Sequence, residues 1–125
     1  MSKYPHLTGD LKLPIQPVHR SRFARLLRRL NRCAELDRRI WNVNSGYRST
    51  KEQAVLYDRY LHHGGNLAAR PGSSNHERGT AADVGVAGEA VGASTNRRRL
   101  LKDHGLCLPV PGEKWHVEVG VHWNA

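Results

Sequence analysis

Long apolar segments are absent from this 125-residue sequence. It contains no run of eighteen apolar residues, so it predicts no membrane-spanning helix and we expect no membrane insertion. The first ten residues, MSKYPHLTGD, also lack the apolar core of a signal peptide. We therefore expect synthesis in the cytoplasm, with any export by a route other than a cleaved leader.

Cysteines and aromatic residues are also scarce. Two cysteines, Cys33 and Cys107, are too few for a metal site made of cysteine alone. Without a secretory signal, we expect both to be free, buried thiols. A single phenylalanine leaves few platforms on which nucleic-acid bases could stack, and no nucleic-acid-binding motif occurs. We therefore expect no specific nucleic-acid partner.

Acidic residues are few relative to basic ones. Twenty Lys and Arg face eleven Asp and Glu, which leaves a formal net charge of +9. Such a charge attracts polyanions. Nucleic acid, an anionic membrane face and an anionic cell wall are all candidates, and charge alone does not select among them. The length, with 38% hydrophobic residues, fits one small domain spanning residues 1–125.

The N-terminal third combines an irregular segment with a basic helix. Three prolines and a glycine within residues 1–17 predict an extended arm or loop. Apolar residues then follow helical spacing from about His19 to Arg39. Five arginines lie largely off that apolar stripe, and their face is either simply solvated or in contact with an anionic partner: Arg22, Arg25, Arg28, Arg29 and Arg32.

A second helix is predicted from Ser49 or Thr50, either of which can cap it, to about His62. Gln53 shares a face with the apolar residues Leu56, Tyr57 and Tyr60. It is therefore predicted to point inward, where a polar side chain needs partners. Gln53 is either a satisfied core amide or a ligand-binding group.

The remaining pattern predicts strands at 40–43, 80–86 and 115–121 and a short basic helix at 96–104. A Gly-rich loop is predicted at 63–75, with further loops at 87–95 and around Pro109–Gly112. Asp83 shares its strand face with the small residues Ala81 and Gly85, which leaves room beside its carboxylate.

Two stretches carry groups suited to metal chemistry, residues 74–83 and 113–116. They supply His76, Asp83 and His116, and catalytic zinc commonly takes three such ligands while a fourth position holds water. Glu113 could take a proton from that water. Because residues three apart on a strand point to opposite faces, Glu113 must lie in or at the end of the Pro111–Gly112 turn to share a pocket with His116.

The residues alone leave other interpretations open. A His–Asp pair is often only a structural hydrogen bond, and two histidines with one carboxylate also suit non-haem iron. The His-Glu-x-x-His helix typical of many zinc peptidases is absent, because His76-Glu77 is followed by Arg78-Gly79-Thr80.

Three blocks in order resemble a known family of zinc peptidases. They are Ser45-Gly46-Tyr47-Arg48-Ser49 with Gln53, Ser74-x-His76-x-x-Gly79-x-Ala81-x-Asp83, and Glu113-x-Trp115-His116. Over residues 18–122 the chain resembles the zinc D-alanyl-D-alanine carboxypeptidases and dipeptidases and the phage L-alanyl-D-glutamate endolysin peptidases. The resemblance implies a single small α+β domain, with an antiparallel sheet carrying the zinc site and helices packed on one side.

The resemblance also implies roles for individual residues. His76, Asp83 and His116 are the implied ligands of one Zn²⁺ ion, and Glu113 is the implied catalytic base. Arg48 binds a substrate carboxylate or polarises the scissile carbonyl. Two further positions are implied to bind substrate or support the site, Gln53 and Ser74. Val117 departs from the family pattern, in which an aromatic residue often follows the ligand histidine.

The resemblance implies hydrolysis of an amide bond in the stem peptide of bacterial peptidoglycan. We expect the enzyme to be a monomer. Without a signal peptide, we expect a phage endolysin L-alanyl-D-glutamate endopeptidase, made in the host cytoplasm and acting on the cell wall after release. A D-alanyl-D-alanine carboxypeptidase is the first alternative. A non-catalytic zinc module that binds the wall or a protein partner is another, and a nucleic-acid-binding protein is a third, suggested by the Arg-rich helix.

Overall fold

Short strands and three α-helices are interspersed along residues 3–123, the part of the chain that the computed structural model describes. In order, they are β1 (Leu7–Gly9), α1 (Pro17–Asp37), β2 (Trp41–Ser45), α2 (Thr50–His62), β3 (Ala81–Val86), β4 (Glu89–Ala90), α3 (Thr95–Asp103), β5 (Leu106–Cys107) and β6 (His116–Val119). Short 3₁₀ helices lie at Asn75–Arg78 and Val91–Ala93. This is the α+β class that the resemblance implied.

The strands form one sheet in the order β1-β2-β3-β6-β5, with β4 beside the far end of β3. β1 runs parallel to β2, and every other pair in the described residues is antiparallel. The predicted antiparallel sheet is therefore mixed. The parallel pair arises because α1 lies between β1 and β2 in the chain, and such a crossover brings the second strand back in the same direction.

The predicted N-terminal arm is part of this sheet. Leu7 lies opposite Trp41 in the β1–β2 register, and Tyr4 and Leu7 are each only 5% exposed. The Asp10 carboxylate accepts a hydrogen bond from the backbone of Gly46 at 3.0 Å. The segment is held by strand pairing and apolar burial, which its proline and glycine content did not indicate. Met1 and Ser2, also assigned to the arm, lie outside the described residues.

Helix α1 supplies the core, as its periodicity predicted. Pro17 occupies its first turn, where a backbone N–H would have no acceptor within the helix, so the N–H that proline lacks costs no hydrogen bond. Its six buried residues pack with the inward-facing side chains of β2, β3 and β6: Phe23, Leu26, Leu27, Leu30, Cys33 and Ala34. α3 contacts α1 and contributes the fully buried Leu101. The opposite face of β3, which carries Asp83 and Gly85, is left accessible.

Helix α2 begins at a capping box in which the Ser49 hydroxyl accepts from the backbone of Glu52, as predicted. Its apolar stripe is not part of the core, however. Gln53 is the one buried residue of α2, whereas Leu56 and Tyr57 are half-buried and Tyr60 is 38% exposed. Gln53 therefore points inward as predicted, whereas Leu56 on the same face lines a cleft instead of the core.

Two further expectations concern cysteines and membranes. Cys33 and Cys107 are free and buried, as predicted. No helix within residues 3–123 combines the length and apolarity that a bilayer crossing requires.

Candidate metal centre and cleft

Three neighbouring strands bring the sequence blocks together. In the register of the sheet, Asp83 on β3 lies opposite Ser45 on β2 and opposite His116 on β6. Arg48 follows shortly after β2, and its backbone N–H donates to the carbonyl of His76 at 3.1 Å. Strand pairing therefore places residues almost forty positions apart in sequence at one point on the accessible face of the sheet.

His76 lies on the 3₁₀ helix between the Gly-rich loop and β3. The Ser74 hydroxyl caps this helix by accepting from the backbone of His76 at 3.2 Å. Gly79 ends it with φ +78°, and a Cβ there would lie 2.6 Å from the carbonyl oxygen of His19. Only glycine permits this turn so close to α1. The Ser-x-His-x-x-Gly spacing therefore fixes the position of the imidazole.

Each imidazole has one nitrogen directed at Asp83 and the other held by the protein. His76 Nε2 and His116 Nδ1 both lie 3.3 Å from Asp83 Oδ1. His76 Nδ1 lies 2.9 Å from the carbonyl oxygen of Gly46. His116 Nε2 lies 2.7 Å from Glu118 Oε2. An outer partner of this kind fixes the tautomer and orientation of a metal-binding histidine.

The donor set fits a divalent cation. One ligand atom from each of His76, Asp83 and His116 lies within 4.8 Å of the other two. Asp83 Oδ1 is buried and has no aligned hydrogen-bond donor among the described residues. A buried carboxylate oxygen without a donor is costly unless a cation contacts it. Two imidazoles and one carboxylate are a ligand set typical of catalytic zinc.

The electrostatics of this cluster follow from its burial and charge. Burial favours the neutral form of Asp83, but the two imidazoles outweigh it and hold the pKa of this carboxyl well below its usual range. Burial likewise opposes protonation of His116, yet contacts with the carboxylates of Asp83 and Glu118 raise its pKa to about 9. Because a metal binds the unprotonated ring, cation binding must displace a proton from His116.

Glu113 lies at the end of the turn before β6, as its spacing required. Its backbone N–H donates to the carbonyl of Val110 at 3.1 Å, and its own carbonyl accepts from His116 N–H at 3.3 Å. Its Oε1 is 4.0 Å from His116 Nδ1, the ring nitrogen directed at Asp83. The Glu113 carboxylate therefore borders the group of candidate metal ligands His76, Asp83 and His116, which we call the metal-ligand cluster.

Arg48, which belongs to the Ser45–Ser49 sequence block, also contacts this cluster. It donates from Nη2 to Asp83 Oδ2 at 3.2 Å, from Nη1 to Gln53 Oε1 at 3.1 Å and from Nε to Ser45 Oγ at 3.0 Å. Gln53 also donates from Nε2 to the carbonyl of Ala69 at 2.9 Å. Gln53 is thus a satisfied buried amide that holds Arg48, and any contact of Gln53 or Ser74 with substrate stays a prediction.

Sequence reasoning missed Glu118 and Asn75. Glu118 accepts from Asn75 Nδ2 at 2.9 Å and contacts His116, so it orients that ring. Its contact with His116 holds the pKa of Glu118 below its usual value despite burial. The sequence did contain a signal for Glu118. It is two residues from His116 on the predicted strand, and residues two apart on a strand share a face.

The metal-ligand cluster opens into a cleft of about 770 Å³. One wall is formed by α2 and the loop after it, through Leu56, Arg59 and residues 65–69, and the other by Val110, Glu113 and Trp115. The cleft contains every residue assigned to the site from sequence: Arg48, Gln53, Ser74, His76, Asp83, Glu113 and His116.

A family model described as VanY, D-alanyl-D-alanine carboxypeptidase, matches residues 17–105. The match includes Arg48, Gln53, His76 and Asp83 and ends before the Glu113–His116 block. No curated protein matches the sequence at a significant level.

Several solved structures share the fold. The LdcB LD-carboxypeptidase has a TM-score of 0.62 at 23% identity, covering 90% of this chain and 66% of its own. VanYB in complex with D-alanine-D-alanine has a TM-score of 0.54 at 27% identity, covering 80% and 71%. A VanY D,D-pentapeptidase variant in complex with Zn(II) has a TM-score of 0.53 at 25% identity, covering 78% and 70%. This chain spans 49% of another match, the D,D-dipeptidase VanXYg.

Proposed function

Because the chain belongs to the VanY family of D-alanyl-D-alanine carboxypeptidases, we propose that it is a zinc-dependent peptidase that hydrolyses an amide bond in the peptide stem of peptidoglycan. The observation that carries this proposal is the convergence of His76, Asp83 and His116 on one point, with Glu113 and Arg48 beside it. The zinc complex of the similar VanY variant supports the choice of metal.

His76, Asp83 and His116 would hold the ion. A bound zinc supplies Lewis-acid polarisation of the scissile carbonyl and makes a water molecule acidic at neutral pH. Glu113 accepts the proton of the attacking water and returns it to the departing amine nitrogen. Its position at the edge of the ligand cluster, 4.0 Å from His116 Nδ1, suits a base that contacts the water without being a ligand itself.

Arg48 stabilises the negative charge that develops on the carbonyl oxygen during attack. Its guanidinium is held in place by Ser45, Gln53 and Asp83 before any substrate arrives. A preorganised donor of this kind needs little rearrangement during the reaction. The contact between Arg48 and Asp83 supports the carbonyl-polarising role over binding of a more distant carboxylate.

The bond that we propose first joins L-alanine to D-glutamate, which makes the enzyme an endopeptidase. An endopeptidase needs space for substrate on both sides of the reacting bond. A second cavity is lined by Trp115, which also lines the cleft beside the candidate metal ligands, and it supplies space for substrate beyond that cleft.

Removal of a terminal D-alanine is the second candidate. The family model carries the name of a D-alanyl-D-alanine carboxypeptidase, and the similar VanYB was solved with D-alanine-D-alanine. Both support hydrolysis at the end of the stem peptide.

Mass spectrometry of purified peptidoglycan digested by the zinc-loaded protein separates the candidates. New peptides beginning with D-glutamate or D-isoglutamine identify the endopeptidase, whereas released D-alanine identifies the carboxypeptidase. If neither product forms at any zinc concentration, the catalytic proposal is wrong and a non-catalytic zinc module replaces it.

A further inference from the structure

The accessible face of the sheet carries a second cavity, of about 400 Å³, next to the cleft that contains the candidate metal ligands. Trp115 lines both cavities and is 42% exposed, although it directly precedes the ligand His116. We name this second cavity the Asn44 pocket. Its wall and floor include Asn42, Asn44, Gly85 and Glu89. A tryptophan side chain is usually less exposed than this unless a binding partner covers it.

Gly85 keeps the Asn44 pocket open. It follows Asp83 by two residues on β3, so a side chain there would project from the same face as the metal ligand. A Cβ at this position would lie 3.0 Å from Asn44 Nδ2 and 3.4 Å from the carbonyl oxygen of Glu89. The φ angle of Gly85 lies outside the left-handed region. Its backbone therefore does not require glycine, and a larger side chain there would occupy space beside the Asn44 amide.

The polar side chains that line the Asn44 pocket carry no unpaired charge. The Glu89 carboxylate forms an ion pair with Arg97. Asn42 Oδ1 accepts from the Thr8 hydroxyl at 2.8 Å, and Asn42 Nδ2 donates to Asn44 Oδ1. Asn44 Nδ2 donates to no group within residues 3–123, so it is available to an acceptor on a ligand.

An exposed indole beside neutral amide groups suits a saccharide. A pyranose ring presents an apolar C–H face that packs on an aromatic ring, and its hydroxyl and acetamido groups exchange hydrogen bonds with amide side chains. A substrate carboxylate would instead need a cation, and no Lys or Arg among the described residues lines the pocket. Arg97, which pairs with the lining residue Glu89, is also engaged by the carbonyl of Val91 at 2.8 Å.

We propose that the Asn44 pocket is a saccharide subsite, which binds the sugar that adjoins the stem peptide. This rests on the proposed endopeptidase function. Only a lactyl group and L-alanine separate that sugar ring from the L-alanyl-D-glutamate bond, a span of roughly 7 Å in an extended chain. The D-alanyl-D-alanine bond lies three residues further along the stem, roughly 10 Å beyond it when the chain is extended. A sugar bound beside the cleft therefore selects the inner bond of the stem.

Two soluble probes test this subsite, N-acetylmuramyl-L-alanyl-D-isoglutamine and N-acetyl-L-alanyl-D-isoglutamine, which differ in the sugar. Their dissociation constants are measured by NMR titration on the zinc-loaded Glu113→Gln protein, which leaves both probes intact. We expect the sugar-bearing probe to bind about tenfold more tightly, the worth of one or two net hydrogen bonds. Gly85→Val in this background fills the pocket and should reduce the ratio to about one.

Asn44→Ala provides a second variant, because this exposed side chain can be removed without affecting the core; it should reduce the preference severalfold. Ala93→Val is the control, since it adds two methyl groups at an exposed position outside both cavities, and it should keep the full preference. Equal affinity for the two probes in the Glu113→Gln protein would overturn the subsite, as would an unchanged ratio in both Gly85→Val and Asn44→Ala. A sugar preference in a protein that hydrolyses no peptidoglycan would overturn the catalytic proposal alone.

Discussion

Arg48 donates a hydrogen bond from Nη2 to Asp83 Oδ2 over 3.2 Å, so a guanidinium touches the one carboxylate among the candidate metal ligands. Asp83 thereby has one oxygen bound to a cationic side chain and the other left for a metal ion. The same guanidinium is anchored by Ser45 and Gln53. Its place is set by strand β2, by helix α2 and by a metal ligand at once.

Replacement of Arg48 tests its role at the reacting carbonyl. Arg48→Lys keeps the charge but cannot reproduce a planar fork that contacts Gln53 and Asp83 together. We expect kcat on a stem-peptide substrate to fall by about 10²- to 10³-fold, the usual cost of losing one oxyanion donor. Zinc content, measured by atomic absorption, should stay near one equivalent. A parental kcat in Arg48→Lys would remove Arg48 from the mechanism.

Glu113→Gln tests the catalytic base with nearly the same side-chain shape. The amide cannot accept the proton of the attacking water, so we expect hydrolysis of purified peptidoglycan to slow by about 10²- to 10⁴-fold. Because Glu113 lies outside the ligand set, the variant should bind one equivalent of zinc and melt at the parental temperature. Digestion at the parental rate contradicts the assignment. Loss of zinc would instead make Glu113 a ligand.

Glu118→Gln tests the outer contact that orients His116. The amide can accept from the ring less strongly than the carboxylate does, so zinc affinity, measured by competition with a chromophoric chelator, should weaken by about 10- to 100-fold. Asp83→Ala removes a ligand and should lose the metal altogether. Glu35→Gln is a matched control, since Glu35 is an exposed carboxylate on α1, and it should leave the affinity unchanged. Equal affinities of Glu118→Gln and the parent would show that the contact does not support the site.

Motifs with fixed spacing predicted the candidate site best. The Ser-x-His-x-x-Gly segment folds locally, because Ser74 and Gly79 cap the same short helix that carries His76. The family match confirms the resemblance that these blocks indicated. Strand alternation likewise predicted that Asp83 lies on a strand face with space beside it. The three-residue spacing from His116 predicted that Glu113 lies in or at the end of the Pro111–Gly112 turn.

Features that depend on distant pairing were harder to predict. Leu56 and Tyr60 share a helical face with the buried Gln53, but periodicity cannot distinguish a face packed on a core from one bordering a cleft. The β1–β2 pair likewise depends on contacts between segments about 34 residues apart, and nothing in the local sequence of Leu7–Gly9 distinguishes a strand from a loop.

The two thiols should be unreactive in the folded protein. Burial and the nearby carboxylates of Asp103 and Asp37 raise the pKa of Cys33 to about 12, and burial also raises the pKa of Cys107. The thiolate is the nucleophile, so a raised pKa leaves little reactive sulfur at pH 8. Iodoacetamide at pH 8 should label neither cysteine in the native protein and both in urea, as mass spectrometry can measure. Rapid labelling of Cys33 under native conditions would contradict its burial.

The basic face of α1 comprises Arg22, Arg25, Arg28, Arg29 and Arg32. Arg32 pairs with Glu35, and Arg29 donates to the carbonyl of Gly105 at 3.3 Å. The other three are exposed and form no ion pair within the described part of the chain. Together with the net charge of +9, they form a surface suited to an anionic wall polymer.

Removal of those three charges tests whether the face itself binds the wall. Sedimentation with purified anionic walls should weaken as salt rises from about 0.1 M to about 1 M, because the screening length falls from about 10 Å to about 3 Å. The triple variant Arg22→Gln, Arg25→Gln, Arg28→Gln should bind less at low salt and depend less on salt. Lys12→Gln, Lys51→Gln, Arg70→Gln removes equal charge from exposed positions outside α1 and should affect binding less. If both triple variants lose binding equally, the net charge and not the face of α1 attracts the wall.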